Sequence, residues 1–483
     1  MKVAIIGAGS IVFCKTLFLD IVQTPGLEAT EFALMAPSRR HTPYVEAFAR
    51  RVIAANGLPA SVYVTTSQQD ALRGADYVIA TFQVGGTAAY ELDYRLPLRY
   101  GVDQCIGDTL GPGGIMRAQR AIPVAVKLAQ DMATLCPRAT LLNYVNPMAP
   151  VCWALGTTAV PFVGLCHGVQ TTMDLIAGYV GVPKAEIDFV CAGINHMAWF
   201  LQLQHHGVDL YPLLRQRFEE PEYYVNEKVR GEVLRQFGYF MTESSGHLSE
   251  YLPYFRKNQR ALDLYCDEPE FGGESGAALK WGLQVAAKYE GRNMLADEPT
   301  TLPGRSIEYG SYIIEALALG RTFCFNGNVI NRGMISNLPA DCCAEGPMVA
   351  NGTGLHRTVV GHLPPQCAAL NLTNINVQRL ATLAALNGDP EALVQACALD
   401  PLTAAVLTLD EIRALASEML EAERAWLPQY AGRSVRPTPV ISIPADVQRA
   451  PVPVDPALAI MARMAKLSAA DAQPPQEDTA GSA

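Results

Sequence analysis

Lys2-Val3-Ala4-Ile5-Ile6-Gly7-Ala8-Gly9-Ser10 decides the fold. A short apolar run stops at a glycine turn, and apolar residues then recur with helical spacing at Phe13, Leu17, Ile21 and Val22. Strand, glycine turn and helix in that order form the setting of a dinucleotide-binding loop. The glycines let the backbone approach a pyrophosphate, and the helix N-terminus offers free N–H groups and a positive dipole end. Gly7, Gly9, Ser10 and Ile11 are therefore the candidate cofactor contacts. Val12 stands where the usual fingerprint has its third glycine.

Glu31 to Met35 reads as the second strand, at whose end an acidic residue normally holds the ribose hydroxyls. The chain instead runs Met35-Ala36-Pro37-Ser38-Arg39-Arg40. Either Ser38 and the backbone hold the ribose, or the two arginines accept a 2′-phosphate. Helices are expected over 45–55 and 69–73, and strands over 60–65 and 76–81, with connections short enough for a parallel sheet. The segment Gly85 to Gly114, ending in Gly107-Asp108-Thr109-Leu110-Gly111-Pro112-Gly113-Gly114, reads as a loop, followed by a helix over 115–135. A strand over 139–142 leads into Asn143-Tyr144-Val145-Asn146-Pro147-Met148, where the Asn146 amide either bonds a ligand or caps the next helix.

The apolar run Ala159 to Leu165 ends at Cys166-His167-Gly168-Val169. Ligands collect beyond the carboxyl ends of strands in open α/β sheets. A thiol and an imidazole at that place either pack, hold a metal or do acid–base work. A helix over 171–180 precedes strands over 189–193 and 199–204, which bracket Ile194-Asn195-His196-Met197. The distance along the chain between Cys166 and His196 does not by itself declare a metal site. The α/β rhythm stops near residue 193. The expected organisation is a Rossmann-like domain over 1–193, an α+β substrate domain over 194–430, and a proline-rich tail over 431–483, disordered from Pro474. The second domain carries a polar stretch, Thr242-Glu243-Ser244-Ser245-Gly246-His247, running on to Tyr254. Helices are expected there over 307–319, 378–386 and 395–419, and strands within 330–335 and 349–363.

With 49% hydrophobic and 17% charged residues among 483, the composition suits a globular protein of two or three domains. A net charge of -10 argues against nucleic acid or an anionic membrane as partner. No apolar run reaches the length of about 18 residues that spans a bilayer. Twelve cysteines without framework spacing read as the reduced thiols of a cytoplasmic protein.

Several motifs in the right order carry a resemblance that runs from Met1 to about Pro428. They are Gly7-Ala8-Gly9-Ser10, Gly107-Asp108-Thr109 with Gly111-Pro112-Gly113-Gly114, and Asn143-Tyr144-Val145-Asn146-Pro147-Met148-Ala149. Cys166-His167-Gly168-Val169, Gly193-Ile194-Asn195-His196-Met197, Glu250-Tyr251-Leu252-Pro253-Tyr254-Phe255 and Thr373-Asn374-Ile375-Asn376-Val377-Gln378 complete the set. Together they resemble glycoside hydrolase family 4, and within it the bacterial α-galactosidase branch. The resemblance implies a lactate/malate-dehydrogenase-like fold and dependence on NAD and a divalent metal, Mn2+. Most glycosidases use two carboxylates, and NAD-dependent family 4 is an exception. By this resemblance, hydride passes from sugar C3 to the nicotinamide and the resulting ketone acidifies the C2 proton. A base removes that proton, the C1 substituent leaves, water adds and the hydride returns.

The same resemblance makes Cys166 and His196 the metal ligands, Tyr251 the base and His167 the leaving-group acid. Asp108 would orient the metal's water or the substrate, Asn146 would bond sugar hydroxyls, and His247 would neighbour the site. It implies a homodimer or homotetramer acting on a small α-glycoside. Family α-galactosidases commonly read Cys-His-Ser-Val, whereas Cys-His-Gly occurs among α-glucuronidases. Gly168 thus leans away from the favoured branch and is expected to open space near the leaving group or the C5 substituent. A uronate would need a bidentate arginine, for which Arg256, Arg260 and Arg305 are available. The expected activity is that of an α-galactosidase, with an α-glucuronide, another uronide or an α-glucoside as the alternative substrate. A lactate/malate-type dehydrogenase would carry an Arg/His/Asp set that is not clearly placed here, and a nucleotide sensor has no need of a metal and a base.

Overall fold

The computed structural model describes residues 1–288, 291–453 and 455–471; the Pro474–Ala483 end, expected to be disordered, lies outside them. Six strands, β1 (Lys2–Ile6), β2 (Glu31–Met35), β3 (Ser61–Thr65), β4 (Tyr77–Ala80), β5 (Thr140–Asn143) and β6 (Phe162–Gly164), pair in parallel in the order 3-2-1-4-5-6. That order is the doubly wound dinucleotide fold. Val3 to Ile6 and Tyr77 to Ala80 are buried without alternation, as a sheet covered on both faces requires.

The sheet does not stop where the α/β rhythm does. The remaining strands are β7 (Ile187–Ile194), β8 (Met197–His205), β9 (Val208–Asp209), β10 (Phe323–Ile330), β11 (Cys343–Asn351) and β12 (Gly354–Arg357). They continue it antiparallel from β6 through β10, β11, β7, β8 and β9, with β12 on β11. Both halves lie in one compact unit, Met1–Arg436; a second unit begins at Pro437 and contains the helix Pro456–Asp471. Among the described residues no helix is long and apolar enough to cross a membrane.

The glycine-rich segment expected to be a loop is largely helical. Gly86–Arg99 is a helix, and the next helix, Gly111–Leu135, begins inside the glycine cluster. A Cβ on Gly113 would lie 2.7 Å from the Asp93 carbonyl oxygen, and one on Gly114 would lie 2.4 Å from the Thr109 carbonyl carbon. These glycines therefore admit a close approach of backbones, which their low helix propensity disguises in sequence. The approach fixes the loop that carries Asp108. Downstream, the single helix expected over 395–419 is three: Pro390–Leu399, Pro401–Val406 and Leu409–Ala422. Asp400 and Thr408 cap the second and third, and Pro401 cannot continue the first. The strand expected at 330–335 is β10, ending where it was expected to begin, and the one expected over 349–363 is the β11–β12 pair.

Candidate active site

Gly7 adopts φ +97, and a Cβ there would lie 2.5 Å from the Phe82 backbone nitrogen, so only glycine fits. The N–H groups of Gly7 and Ala8 both donate to the Met35 carbonyl at 2.9 Å, tying the turn to the end of β2. A Cβ on Gly9 would touch no protein atom within 4 Å, so the protein's own packing does not require glycine at that position. Ser10, the residue preceding the helix Ile11–Val22, makes no side-chain cap, which leaves the first N–H groups without a side-chain acceptor. A pyrophosphate fits that cradle. Ser38, Arg39 and Arg40 are exposed beyond β2 with no carboxylate among them.

Cys166 lies two residues beyond the end of β6. Its N–H donates to the Tyr309 hydroxyl at 3.2 Å, and its carbonyl accepts from that hydroxyl at 2.6 Å. His196 occupies the tip of the β7–β8 hairpin at φ +64, a conformation that residues with a Cβ seldom adopt. The buried Asn371, on the helix Pro365–Asn387, braces that tip. It donates to the Met197 carbonyl at 2.8 Å and accepts from the Trp199 indole at 3.1 Å. The two elements bring Cys166 Sγ to 3.4 Å from His196 Nε2.

The Thr109 hydroxyl donates to Asp108 Oδ1 at 2.8 Å and lies 2.7 Å from His196 Nδ1. A hydroxyl has one proton to give, so with that proton on Asp108 it accepts from Nδ1–H. The Nε2 lone pair is then left facing Cys166, which is the tautomer a metal ligand needs.

Glu243 belongs to the same cluster. Its Oε1 lies 3.7 Å from Cys166 Sγ and 3.9 Å from His196 Nε2. The space that Gly168 was expected to open for substrate is instead taken by this carboxylate: a Cβ on Gly168 would sit 1.6 Å from Glu243 Oε1. Burial, followed by the Glu243 and Glu345 carboxylates, pushes the Cys166 thiol well above its ordinary value. Burial and then Glu243 raise Glu345 to about 8. A thiol and two carboxylates gathered in a buried place suit a divalent cation, and the soft-to-borderline S and N donors with a hard oxygen suit Mn2+ or Zn2+.

The other expected residues surround this cluster. Tyr251, on the helix Ser245–Tyr251, is 1% exposed, with its hydroxyl 3.4 Å from His196 Nδ1. Burial, then Asp108 and Glu250, raise its phenol well above the usual range. His167 Nδ1 is 3.4 Å from Glu308 Oε1, and the hydrogen bond to Glu308 raises the half-buried imidazole, outweighing its partial removal from water. Burial works against ionisation of Asp108, yet Arg117, His247 and His196 hold it below the ordinary carboxylate value. Asn146 does not cap a helix: its Nδ2 donates to Asp108 Oδ2 at 3.3 Å and its buried Oδ1 has no partner. His247 stands edge-on to His196 at 5.3 Å.

The three arginines considered for a uronate are otherwise engaged or placed. Arg256 is buried in an ion pair with Asp103 at 2.7 Å, Arg305 pairs with Glu315, and Arg260 lines a groove with Phe237, Tyr254 and Tyr265. Sequence reasoning missed Arg117, whose Nε donates to the Asn146 carbonyl at 3.2 Å, as well as Glu243, Thr109, Glu308 and Tyr309. Thr109 and Glu243 lie inside the 107–114 and 242–254 stretches, but nothing in the sequence separates them from their polar neighbours.

The chain matches two family models, "Family 4 glycosyl hydrolase" over residues 2–182 and "Family 4 glycosyl hydrolase C-terminal domain" over 191–403. It is 41% identical over 439 residues to an α-galactosidase of Rhizobium meliloti (strain 1021), covering 89% of this chain and 90% of that protein. It is 37% identical over 438 residues to an α-galactosidase of Bacillus subtilis (strain 168), covering 89% and 99%. In fold it is similar to the Thermotoga maritima 6-phospho-β-glucosidase solved with manganese, NAD+ and glucose-6-phosphate (TM-score 0.71, 21% identity, 88% and 99% covered). The chain belongs to glycosyl hydrolase family 4.

Proposed function

We propose that this enzyme is a cytoplasmic, homo-oligomeric α-galactosidase that uses NAD and Mn2+ for a redox, elimination and addition sequence. The observation that carries the reading is the convergence of Cys166, His196, Tyr251, His167 and Asn146 beyond the carboxyl ends of the parallel strands. A glycine loop suited to a pyrophosphate lies on the same sheet. The family membership and the two α-galactosidase relatives support the substrate, and twelve free thiols support a reducing compartment.

When bound, the nicotinamide supplies a reversible hydride acceptor, and the cation supplies a Lewis acid for the sugar's C2 and C3 oxygens. Gly7, Gly9, Ser10 and Ile11 would hold the pyrophosphate. Cys166 Sγ and His196 Nε2 would hold the cation, with the imidazole oriented through Thr109 by Asp108. Asn146 Oδ1, lacking a protein partner, accepts from a sugar hydroxyl. Tyr251 Oη takes the C2 proton. His167, whose protonated form the Glu308 carboxylate favours, gives a proton to the departing C1 oxygen and later takes one from water.

The engaged arginines favour a neutral sugar. Arg256 and Arg305 are held in ion pairs with Asp103 and Glu315, so neither offers a uronate the bidentate partner it needs. Turnover of an aryl α-galactoside should therefore exceed that of the matching α-glucuronide by about 10²-fold in kcat/KM, from about 3 kcal/mol for a carboxylate desolvated without a partner. Aglycone release should occur without net accumulation of reduced cofactor. Preference for the uronide would overturn the substrate, and stoichiometric reduced cofactor would indicate a dehydrogenase instead.

Discrimination between cofactors should be weak. No carboxylate beyond Met35 repels a 2′-phosphate, so the dissociation constants of NAD+ and NADP+ should agree within about tenfold, or 1.4 kcal/mol. Calorimetric titration of both decides this. Rejection of NADP+ beyond about 100-fold would mean that Ser38 and the backbone suffice to exclude it.

A further inference from the structure

We infer that Glu243 is a third protein ligand of the divalent cation, and that residue 168 is glycine in order to admit its carboxylate. This rests on the reading of Cys166 and His196 as metal ligands and adds to it a donor that the sequence did not single out.

The argument is geometric. Cys166 Sγ, His196 Nε2 and Glu243 Oε1 form a triangle with edges of 3.4, 3.7 and 3.9 Å. Bonds of about 2.0–2.3 Å from one ion to S, N and O donors, at angles between octahedral and tetrahedral, give edges of about 2.9–3.6 Å. The observed edges lie within that range or a few tenths of an ångström beyond it, so small side-chain rotations bring all three atoms onto one ion without rearrangement of the backbone. The Cys166 thiol hydrogen bonds to Glu243 Oε1, so its proton lies between two donors that a cation would bridge. Thiolate and carboxylate together cancel the charge of a divalent ion, which a Cys–His pair alone leaves half-compensated.

Two further features hold the carboxylate in place. Glu243 has φ +71 and His196 φ +64, so two of the three donors are presented from left-handed backbone that a residue with a Cβ seldom adopts. Gly168 lies where its Cβ would fall 1.6 Å from Glu243 Oε1 and 2.7 Å from its Cδ. A serine at 168 and the observed position of Glu243 are mutually exclusive, so the Cys-His-Gly sequence and the third ligand form one structural unit.

The test is a Mn2+ titration of the purified full chain followed by electron paramagnetic resonance, with NAD+ binding as the check on folding. Cys166→Ser should abolish tight Mn2+ binding. Glu243→Gln, which keeps shape and removes charge, should weaken it by at least about tenfold, the scale of losses known even for groups that only support a metal ligand. Gly168→Ala should do the same by displacing the carboxylate. The Glu243→Gln/Gly168→Ala double variant should lose no more than either single variant, as residues acting through one contact do. In the Co2+-substituted protein, Glu243→Gln should shift the d–d bands, which a carboxylate merely near the ion would not do. If Cys166→Ser abolishes binding while Glu243→Gln and Gly168→Ala leave affinity within about twofold and the Co2+ spectrum unchanged, the inference fails and the Cys–His site stands. If Cys166→Ser leaves Mn2+ affinity unchanged, the site itself is misassigned and the inference falls with it.

Discussion

Chelation followed by gel filtration should stop hydrolysis, and NAD+ and Mn2+ should restore it only when supplied together. The buried cluster motivates the metal half of this expectation. The Cys166 thiol is pushed well above its ordinary value by burial, Glu243 and Glu345, and it remains protonated until a cation arrives. A Lewis acid contributes several kcal/mol to stabilising charge at a developing enolate. At 1.36 kcal/mol per factor of ten, its removal lowers the rate by at least about 10³. The glycine loop motivates the cofactor half. Because the hydride returns to the same sugar, NAD+ acts catalytically, so an amount equal to the enzyme suffices and absorbance at the reduced-cofactor band shows no net rise. The measurement is aryl α-galactoside hydrolysis after each single and double add-back. Full activity of the stripped protein would overturn the redox route, and rescue by Mn2+ alone would overturn the role of NAD+.

Periodicity made the first half of the fold legible. The strand, turn and helix at Lys2–Val22, and the short connections after it, lead to the 3-2-1-4-5-6 order observed. It gave no hint that β10 and β11, distant in sequence, would pair between β6 and β7 and join both halves into one sheet. Non-local antiparallel pairing leaves no local trace. The glycines at 111–114 misled for a related reason, since they serve backbone contact with Asp93 and Thr109, and sequence displays only their low helix propensity. Candidate site residues with distinctive chemistry, Cys166, His167, His196 and Tyr251, stood out in motifs. Glu243 and Thr109 did not, because their importance lies in distances of 3.7 Å to Cys166 Sγ and 2.7 Å to His196 Nδ1 that only folding creates. Gly168 shows how far a motif reading reaches. The absent side chain is visible in sequence, but its consequence depends on a carboxylate 75 positions later in the chain.

Tyr251→Phe should lower kcat by about 10²–10⁴, the usual contribution of a positioned acid–base group, with KM nearly unchanged. Phenylalanine keeps the ring that lies nearly parallel to His196, at 15° and 6.4 Å, so the packing of a residue only 1% exposed survives. Metal binding survives too, because His196 Nδ1 remains held by Thr109 at 2.7 Å and Nε2 still faces Cys166. What disappears is the Tyr251 hydroxyl. Burial, Asp108 and Glu250 hold that phenol well above its ordinary value near 10, which favours the protonated hydroxyl over the phenolate that would act as base. A cation held by Cys166 and His196 would lower it towards the working range of a base. The native enzyme, turning over in deuterium oxide, should therefore place deuterium at C2 of the released sugar. Hydrolysis by Tyr251→Phe should be slowed to the same extent for good and poor aryl leaving groups, because the lost step precedes departure of the C1 substituent. A native product free of C2 deuterium would exclude elimination altogether, and a variant with native kcat would assign the proton transfer to another group.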